Sequence, residues 1–161
     1  MTTASVYIES SVISYLTARP SRDIVTAARQ AITLEWWHTQ RFRYDVYISA
    51  LVEEEISAGD PVAVAERIKA VLSIPSVAIT PEAQVIAAKL IASKVIPQKS
   101  VEDAMHIAIA AAQGTEYLLT WNFKHINNAE TKLLIADIIE TCGYICPMLC
   151  SPEELGVFKD D

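Results

Sequence analysis

Four oxygen-bearing side chains follow the predicted strands of this chain or lie in the helices next to them. Glu9 comes directly after the first apolar segment, and Glu55 lies in the helix predicted after the second strand. Asp103 begins a helix, and Asn122 follows the apolar stretch 117–120. Carboxylates gathered in one place repel each other, and a hard divalent cation is the usual reason for tolerating them. Convergence of these residues would predict a Mg2+ or Mn2+ site suited to phosphoryl chemistry.

Each of these side chains also has a purely structural interpretation. The three consecutive glutamates at 53–55 can form a solvated helix face. Asp103 lies three residues after Ser100, which is the capping-box spacing, so it can serve only the start of its helix. Asn122 can be a turn residue that bonds locally to the backbone. His106, one helical turn after Asp103, is more typical of a packed histidine than of a catalytic one.

The stretch 101–126 indicates how the candidate residues are positioned. An apolar stripe at helical spacing predicts a helix packed on a flat surface, and Gly114 ends that helix. Residues 117–120 are too short and too apolar for anything but a buried strand. In open α/β sheets the ligand crevice lies outside the carboxyl ends of the strands, where Asn122 is expected.

Strands and helices are predicted to alternate along the whole chain. The predicted strands are 5–8, 46–48, 77–79, 117–120 and 144–149. The predicted helices start at Val12, Ser21, Ser49, Pro61, Thr80, Asp103 and Ala129, and a final turn starts at Ser151. This alternation predicts one domain over 1–161, an α/β protein with a three-layer α/β/α sandwich and a central parallel sheet of four to five strands. Pro147 cannot donate to a ladder, so the last strand is expected at an edge.

The predicted helix from Ser21 to about Arg41 contains two adjacent tryptophans. Ser21 is the expected N-cap of this helix. Trp36 and Trp37 are not both expected in the same core. One of them is therefore expected to make a subunit or partner contact, or to be only partly packed.

Composition excludes several classes of function. With 4 glycines among 161 residues, the chain contains neither a GxGxxG nor a GxxxxGK[ST] phosphate loop. A net charge of -7 argues against a broad basic surface for duplex DNA but leaves room for a small local nucleic-acid groove. A receiver-type phosphoacceptor would need paired acids after the first strand, and Ile8-Glu9-Ser10 does not supply them.

The cysteines and the hydropathy pattern indicate a cytoplasmic protein. Cys142, Cys146 and Cys150 are spaced as C-x3-C-x3-C with no histidine nearby, which is poor spacing for zinc. Their odd number fits a reducing compartment, and buried structural thiols are expected. No leader-like segment and no apolar stretch of membrane-spanning length is found.

Five segments in order resemble the PIN domain family. Residues 6–16 (VYIESSVISYL) resemble its opening pattern Y-I-D-T/S-S-V, and 49–56 (SALVEEEI) resemble its second motif. Residues 103–108 (DAMHIA) are similar to the third motif, D-A-x-H-I-A, and 119–125 (LTWNFKH) to the fourth. Residues 150–155 (CSPEEL) resemble a C-terminal ending found in one branch of the family.

The resemblance implies a metal-dependent ribonuclease of the kind found in VapC toxins of bacterial toxin–antitoxin pairs. It implies Mg2+ or Mn2+ held by Glu9, Glu55, Asp103 and Asn122, a water activated there, and in-line attack on an RNA phosphodiester. A homodimer and a small neutralising antitoxin are also implied. The motifs add candidates for positioning the substrate, namely Ser10, Ser11, His106 and Lys124.

Two positions depart from the family pattern. Glu9 stands where the first motif has Asp, and Asn122 stands where many members have Asp. Three carboxylates remain to balance a cation, which favours one metal ion over two. The same departures motivate an alternative function, a PIN-like module that has lost catalysis and binds RNA or protein.

Overall fold

A five-stranded parallel sheet organises the chain, whose computed structural model describes residues 3–156. The strands are β1 (Ser5–Ile8), β2 (Asp45–Ser49), β3 (Ser76–Val77), β4 (Tyr117–Leu119) and β5 (Met148–Cys150), in the order β3-β2-β1-β4-β5. Every strand pair is parallel, and β1 at the centre is flanked by β2 and β4. The predicted α/β class, the parallel sheet and the edge position of the last strand are confirmed. The predicted single domain extends past the described residues at both ends.

Seven α-helices flank the sheet within residues 3–156. They are α1 (Ser10–Thr17), α2 (Ile24–Glu35), α3 (Ala50–Ile56), α4 (Pro61–Ala70), α5 (Pro81–Ala92), α6 (Val101–Ala112) and α7 (Lys132–Thr141). Ser49 and Thr80 cap α3 and α5 as predicted, because their hydroxyls accept the Val52 and Ala83 backbone N–H groups at 3.2 Å each. Past α6, Gly114 has a φ of 69°, the left-handed conformation that ends a helix cheaply only at glycine.

The helix predicted from Ser21 to Arg41 is wrong at its start and in its regularity. Asp23 caps α2 instead, because its carboxylate accepts the Thr26 N–H at 2.9 Å. After Glu35 the chain continues as a π-helix (Trp36–Gln40) and a 3-10 helix (Arg41–Arg43). Elsewhere the predicted elements are present with ends shifted by a few residues.

The expectation that the two tryptophans cannot share a core is also wrong. Trp36 and Trp37 are 2% and 4% exposed. Both lie in the π-helical turn that follows α2, and each ring has its own packing partner there. The Trp36 ring stacks on Tyr44 with centroids 6.0 Å apart, whereas the Arg41 guanidinium lies 4.6 Å from the Trp37 centroid.

The three cysteines are free thiols at different depths. Cys150 is buried, but Cys142 and Cys146 are only partly buried, so the prediction of buried thiols holds fully for one of them. Burial raises the pKa of the Cys146 and Cys150 thiols to about 12. Among the described residues, no helix combines the length and the apolar character needed to span a bilayer.

Candidate active site

The candidate residues meet at the carboxyl edge of the three central strands. Glu9 directly follows β1, and its backbone N–H donates to the Leu119 carbonyl at 3.1 Å. This extends the register that pairs Ile8 with Leu119, so Glu9 lies beside Thr120 at the end of β4. Strands β1 and β4 are therefore the neighbours that convergence of Glu9 and Asn122 requires.

Glu9 is a buried carboxylate held by three hydrogen bonds. It is 6% exposed and is the N-cap of α1, accepting the Ser11 N–H at 3.1 Å. Its Oε1 accepts the Ser11 hydroxyl at 2.5 Å and the Thr120 hydroxyl at 2.6 Å. A carboxylate can be buried only when such donors replace its water. The position of Glu9 is thus fixed by α1 and β4 together.

Glu55 is the member of the glutamate run that turns toward the sheet. Glu53 and Glu54 are exposed, whereas Glu55 is half-buried. Its Oε1 accepts the Ser10 hydroxyl at 2.5 Å and the His106 Nε2–H at 2.6 Å. The run is therefore a solvated face for two residues and a site residue for the third.

His106 belongs to a chain of hydrogen bonds that links helices α3 and α6 to strands β1 and β2. The side chain is 1% exposed, and its Nδ1 is hydrogen-bonded to the Tyr7 hydroxyl at 2.7 Å. The same hydroxyl is bonded to the Ser49 hydroxyl at 2.8 Å. Both ring nitrogens are thus engaged, one with Tyr7 and one with Glu55. The packed histidine expected from the sequence is also part of the site.

Electrostatics favour an ion pair between Glu55 and His106. Burial opposes both charges, but the His106 and Ser10 hydrogen bonds hold the pKa of the Glu55 carboxyl below its usual value of 4.5. Burial also lowers the pKa of His106. The hydrogen bond that it donates to Glu55, and the negative charges of Glu9, Glu55 and Asp103, have the larger opposite effect, so the pKa of His106 lies above 6.5. Because an imidazolium offsets carboxylate charge, His106 relieves part of the repulsion within the cluster. Burial raises the pKa of Tyr7, which stays a neutral phenol.

Asp103 is less tightly held. Burial and the charge of Glu9 raise the pKa of its carboxyl, and the Asn122 side-chain amide lowers it. The net result is a pKa above the usual value of 3.8. The capping-box interpretation is wrong, because Ser100 makes no side-chain cap bond to α6 and follows a 3-10 turn. Asp103 is therefore available to the site.

Asn122 has the turn role that its sequence position allows. Its Oδ1 accepts the backbone N–H groups of Lys124 and His125 at 3.1 and 2.9 Å. Its amide group faces Asp103 closely enough to lower the pKa of that carboxyl. Asn122 thus fixes the loop after β4, and its role as a metal ligand stays a prediction. The Lys124 side chain is exposed beside it.

The donor set fits a hard divalent cation. Ligand atoms of Glu9, Glu55 and His106 lie within 4.8 Å of one another, and Asp103 lies outside that compact group. His106 is unsuited to ligate, because both of its nitrogens are already hydrogen-bonded. Within residues 3–156, the second oxygen of Glu55 has no hydrogen-bond donor, and Glu9 retains one lone-pair site. Carboxylate oxygens from Glu9, Glu55 and Asp103 match the preference of Mg2+ and Mn2+.

Three hydroxyl groups of the site were not predicted as functional. Tyr7 is fully buried within β1, and its apolar neighbours Val6 and Ile8 indicate a core position. Ser49 was predicted only as a helix cap, and Thr120 only as the end of a strand. Their shared signal is a hydroxyl at the end or centre of an otherwise apolar strand, which needs a partner when it is buried.

Comparison with known proteins supports the fold through structure alone. No protein-family model and no curated relative matches the sequence. The structure is similar to Mycobacterium tuberculosis VapC20, a sarcin-ricin loop cleaving toxin, with 18% identity, a TM-score of 0.50, and coverage of 70% of this chain and 86% of that one. It is also similar to Rickettsia felis VapBC2 bound to a DNA fragment from its promoter, with 12% identity, a TM-score of 0.51, and coverage of 91% and 98%. The chain therefore has a VapC-like PIN domain fold.

Proposed function

We propose that this protein is a Mg2+- or Mn2+-dependent endoribonuclease and the toxin of a bacterial type II toxin–antitoxin pair. One observation carries the proposal. Glu9 and Glu55, from different elements of a VapC-like PIN fold, converge at the carboxyl edge of the sheet together with His106. Asp103 lies close enough for the charge of Glu9 to raise its pKa.

Each residue has a distinct role in the proposed site. Glu9, Glu55 and Asp103 would hold one divalent cation. When bound, that cation supplies positive charge for the phosphate oxygens and lowers the pKa of a water. Ser10 and Ser11 orient Glu55 and Glu9, because each donates its hydroxyl to one of these carboxylates at 2.5 Å. His106 orients Glu55 through Nε2 and offsets its charge.

The proposed partners follow from the resemblance and the neighbouring structures. VapC20 is named for cleavage of the sarcin-ricin loop, so RNA is the proposed substrate class here. The VapBC2 complex supports a small antitoxin as partner. We also propose a homodimer, for which exposed apolar side chains such as Leu72, Leu133 and Ile145 provide candidate contact surface.

The test is cleavage of a labelled RNA pool with Mn2+ or Mg2+. We expect cleavage by wild type, none in EDTA, and a loss of at least about a hundredfold in Asp103→Asn and Glu55→Gln. Glu54→Gln is the matched control, because Glu54 is the exposed neighbour of Glu55. Wild-type protein that cleaves no RNA with either metal would overturn the nuclease proposal.

A binding module without catalysis is the second candidate. It is favoured by the way Glu9 and Asn122 already use their oxygens, since Glu9 accepts three hydrogen bonds and Asn122 accepts two. RNA or protein binding that persists in EDTA, without cleavage in Mn2+, would distinguish this function from the nuclease.

A further inference from the structure

An aromatic and cationic surface borders the candidate site on the side of Asn122. Phe123 directly follows Asn122 and is 36% exposed, while Trp121 on its other side is 4% exposed. The two rings meet edge to face, with centroids 6.1 Å apart. The Arg29 guanidinium carbon lies 5.1 Å from the Phe123 centroid and 5.5 Å from the Trp121 centroid. We name Arg29, Trp121 and Phe123 the aromatic platform.

The aromatic platform is tied to the acidic residues by hydrogen bonds. The Trp121 indole N–H donates to the Thr33 hydroxyl at 2.8 Å, which fixes the ring against α2. The Trp121 backbone N–H donates to the Ser11 hydroxyl at 2.9 Å, and that hydroxyl donates to Glu9 at 2.5 Å. On the far side, the Asn128 amide donates to the Phe123 carbonyl at 2.9 Å. The backbone on both sides of Asn122 is thus held in place, and the exposed Phe123 ring lies against the fixed Trp121 ring.

Positive charge is scarce on this protein, and two cations border the site here. The chain has a net charge of -7, yet Arg29 lies over the Trp121 and Phe123 rings, and Lys124 directly follows Phe123. Among residues 3–156, the one ion pair joins His106 and Glu55, so Arg29 has no direct contact with a described carboxylate; at longer range its charge helps to lower the pKa of Asp23. The Arg29 guanidinium lies over the rings that border the candidate site and has no direct carboxylate contact among the described residues. Such a guanidinium is suited to binding a backbone phosphate of RNA.

We propose that Phe123 is a stacking platform for an unpaired RNA base and that Arg29 contacts an adjacent phosphate. This inference rests on the proposed ribonuclease function and narrows its substrate to RNA that presents an unpaired nucleotide at the cleavage site. Bases within a duplex are already stacked on each other, whereas an unpaired base exposes its face to an aromatic ring. Phe123 and Arg29 are positioning residues, because they bind substrate next to the carboxylates without joining them.

The chain contains a matched control for this surface. Phe42 is 70% exposed, and the Arg41 guanidinium carbon lies 4.4 Å from its ring centroid. Both belong to the 3-10 helix just before β2, whose first residue, Asp45, pairs with Ser5 at the start of β1. The Phe42–Arg41 pair therefore repeats the chemistry at the opposite edge of the sheet, away from the carboxylates.

Binding is measured by fluorescence anisotropy in EDTA, where no cleavage occurs. The probe is a fluorescein-labelled single-stranded RNA of about a dozen nucleotides, and its hybridised duplex is the comparison. Phe123→Leu keeps an apolar side chain but loses the aromatic face, so we expect it to weaken binding about five- to tenfold. Phe123→Trp restores binding, and Phe42→Leu matches wild type. Arg29→Gln weakens binding and makes the salt dependence shallower by about 0.7 for each phosphate that is no longer neutralised, while Arg41→Gln does not.

Two further measurements separate this inference from the proposed function and from a purely structural effect. Thermal melting shows whether each variant folds, and Phe123→Met serves if Phe123→Leu does not. Manganese-dependent cleavage is measured in parallel, where Phe123→Leu is expected to raise KM about five- to tenfold with little change in kcat.

If Phe123→Leu and Phe42→Leu bind the single strand equally, or if duplex binds as tightly, the stacking proposal is overturned even when wild type cleaves RNA. If Phe123→Leu alone loses binding but wild type cleaves nothing, the platform stands and the nuclease proposal falls.

Discussion

The two sides of the candidate site differ in how their negative charge is compensated. On one side, Glu9 and Glu55 accept five hydrogen bonds in total, and one of these comes from His106, whose pKa is raised. On the other side, the Asn122 amide and the more distant His125 and His106 lower the pKa of Asp103, but burial and the charge of Glu9 outweigh them and its pKa is raised. The contrast indicates that folding organises the first side by itself. A cation held by Glu9, Glu55 and Asp103 would therefore change the charge balance most at Asp103.

The largest expected effect comes from removing the cation of the compensated side. In His106→Ala, Glu55 loses its ion-pair partner but keeps the Ser10 hydroxyl, and the Tyr7 hydroxyl loses one of its two hydrogen-bond partners. Breaking a fully buried pair costs about 3–5 kcal/mol, and we expect a loss of unfolding free energy near the lower end of this range because Glu55 is only half-buried. Urea denaturation in EDTA checks this. His38→Ala, at an exposed histidine of the π-helix, should stay within about 0.5 kcal/mol of wild type. A small effect at both positions would contradict the compensation of Glu55 by His106.

Shortening Glu9 tests whether the site is built around the longer side chain. The family resemblance favours Asp here, but the carboxylate of Glu9 reaches Ser11 and Thr120 together. We expect Glu9→Asp to lose the Thr120 bond and about 1.5–3 kcal/mol of stability, the range for a hydrogen bond to a charged group. Thr120→Val in both backgrounds completes a double-mutant cycle. A coupling near zero would show that Thr120 does not hold Glu9.

Local sequence patterns predict some features of this protein and not others. The parallel sheet, the edge position of its last strand and the caps Ser49 and Thr80 follow from local patterns, and the convergence of Glu9 with Glu55 follows from the topology of parallel sheets. The π-helical turn that buries Trp36 and Trp37 does not, because it depends on packing against Tyr44 and Arg41.

The partners of His106 are likewise set by long-range contacts. Tyr7 lies 99 positions earlier in the chain and Glu55 lies 51 positions earlier. Nothing in the spacing of DAMHIA indicates which groups face the imidazole. The correctly predicted sheet therefore indicated where the acids meet, but not that a buried histidine with a raised pKa lies against them.

The compensated side should also give stability a pH window. The pKa of Glu55 is lowered in the folded protein. Its contribution to the free energy of unfolding is therefore fully present above pH 4.5 and is lost as the pH falls through the pKa of the folded state. The pKa of His106 is raised, so its contribution is present below 6.5 and is lost as pH rises through its folded value. We expect the difference in urea midpoint between wild type and His106→Gln in EDTA to be largest between pH 4.5 and 6.5. A difference independent of pH would contradict the ion pair.

The smallest expected effect comes from the uncompensated side. The raised pKa of Asp103 means that the native state binds more protons than the unfolded state between the two values. The stability that Asp103 contributes is therefore fully present below pH 3.8 and is lost as the pH rises through its folded-state pKa. At neutral pH the ionised carboxylate destabilises the protein. Asp103→Asn should therefore stabilise the metal-free protein, by at most about 1 kcal/mol, because solvent screens a half-buried charge.

The neighbouring Glu102 separates this effect from the helix dipole. Glu102 and Asp103 are both acidic residues in the first turn of α6, but Glu102 is exposed. Glu102→Gln removes only a favourable interaction with the helix N-terminus and should cost about 0.3–1 kcal/mol. Thermal melting of both variants in EDTA at neutral pH should thus give shifts of opposite sign. If both variants melt below wild type, the Asp103 carboxylate is stabilised by the fold as Glu9 is, and the two sides of the site do not differ.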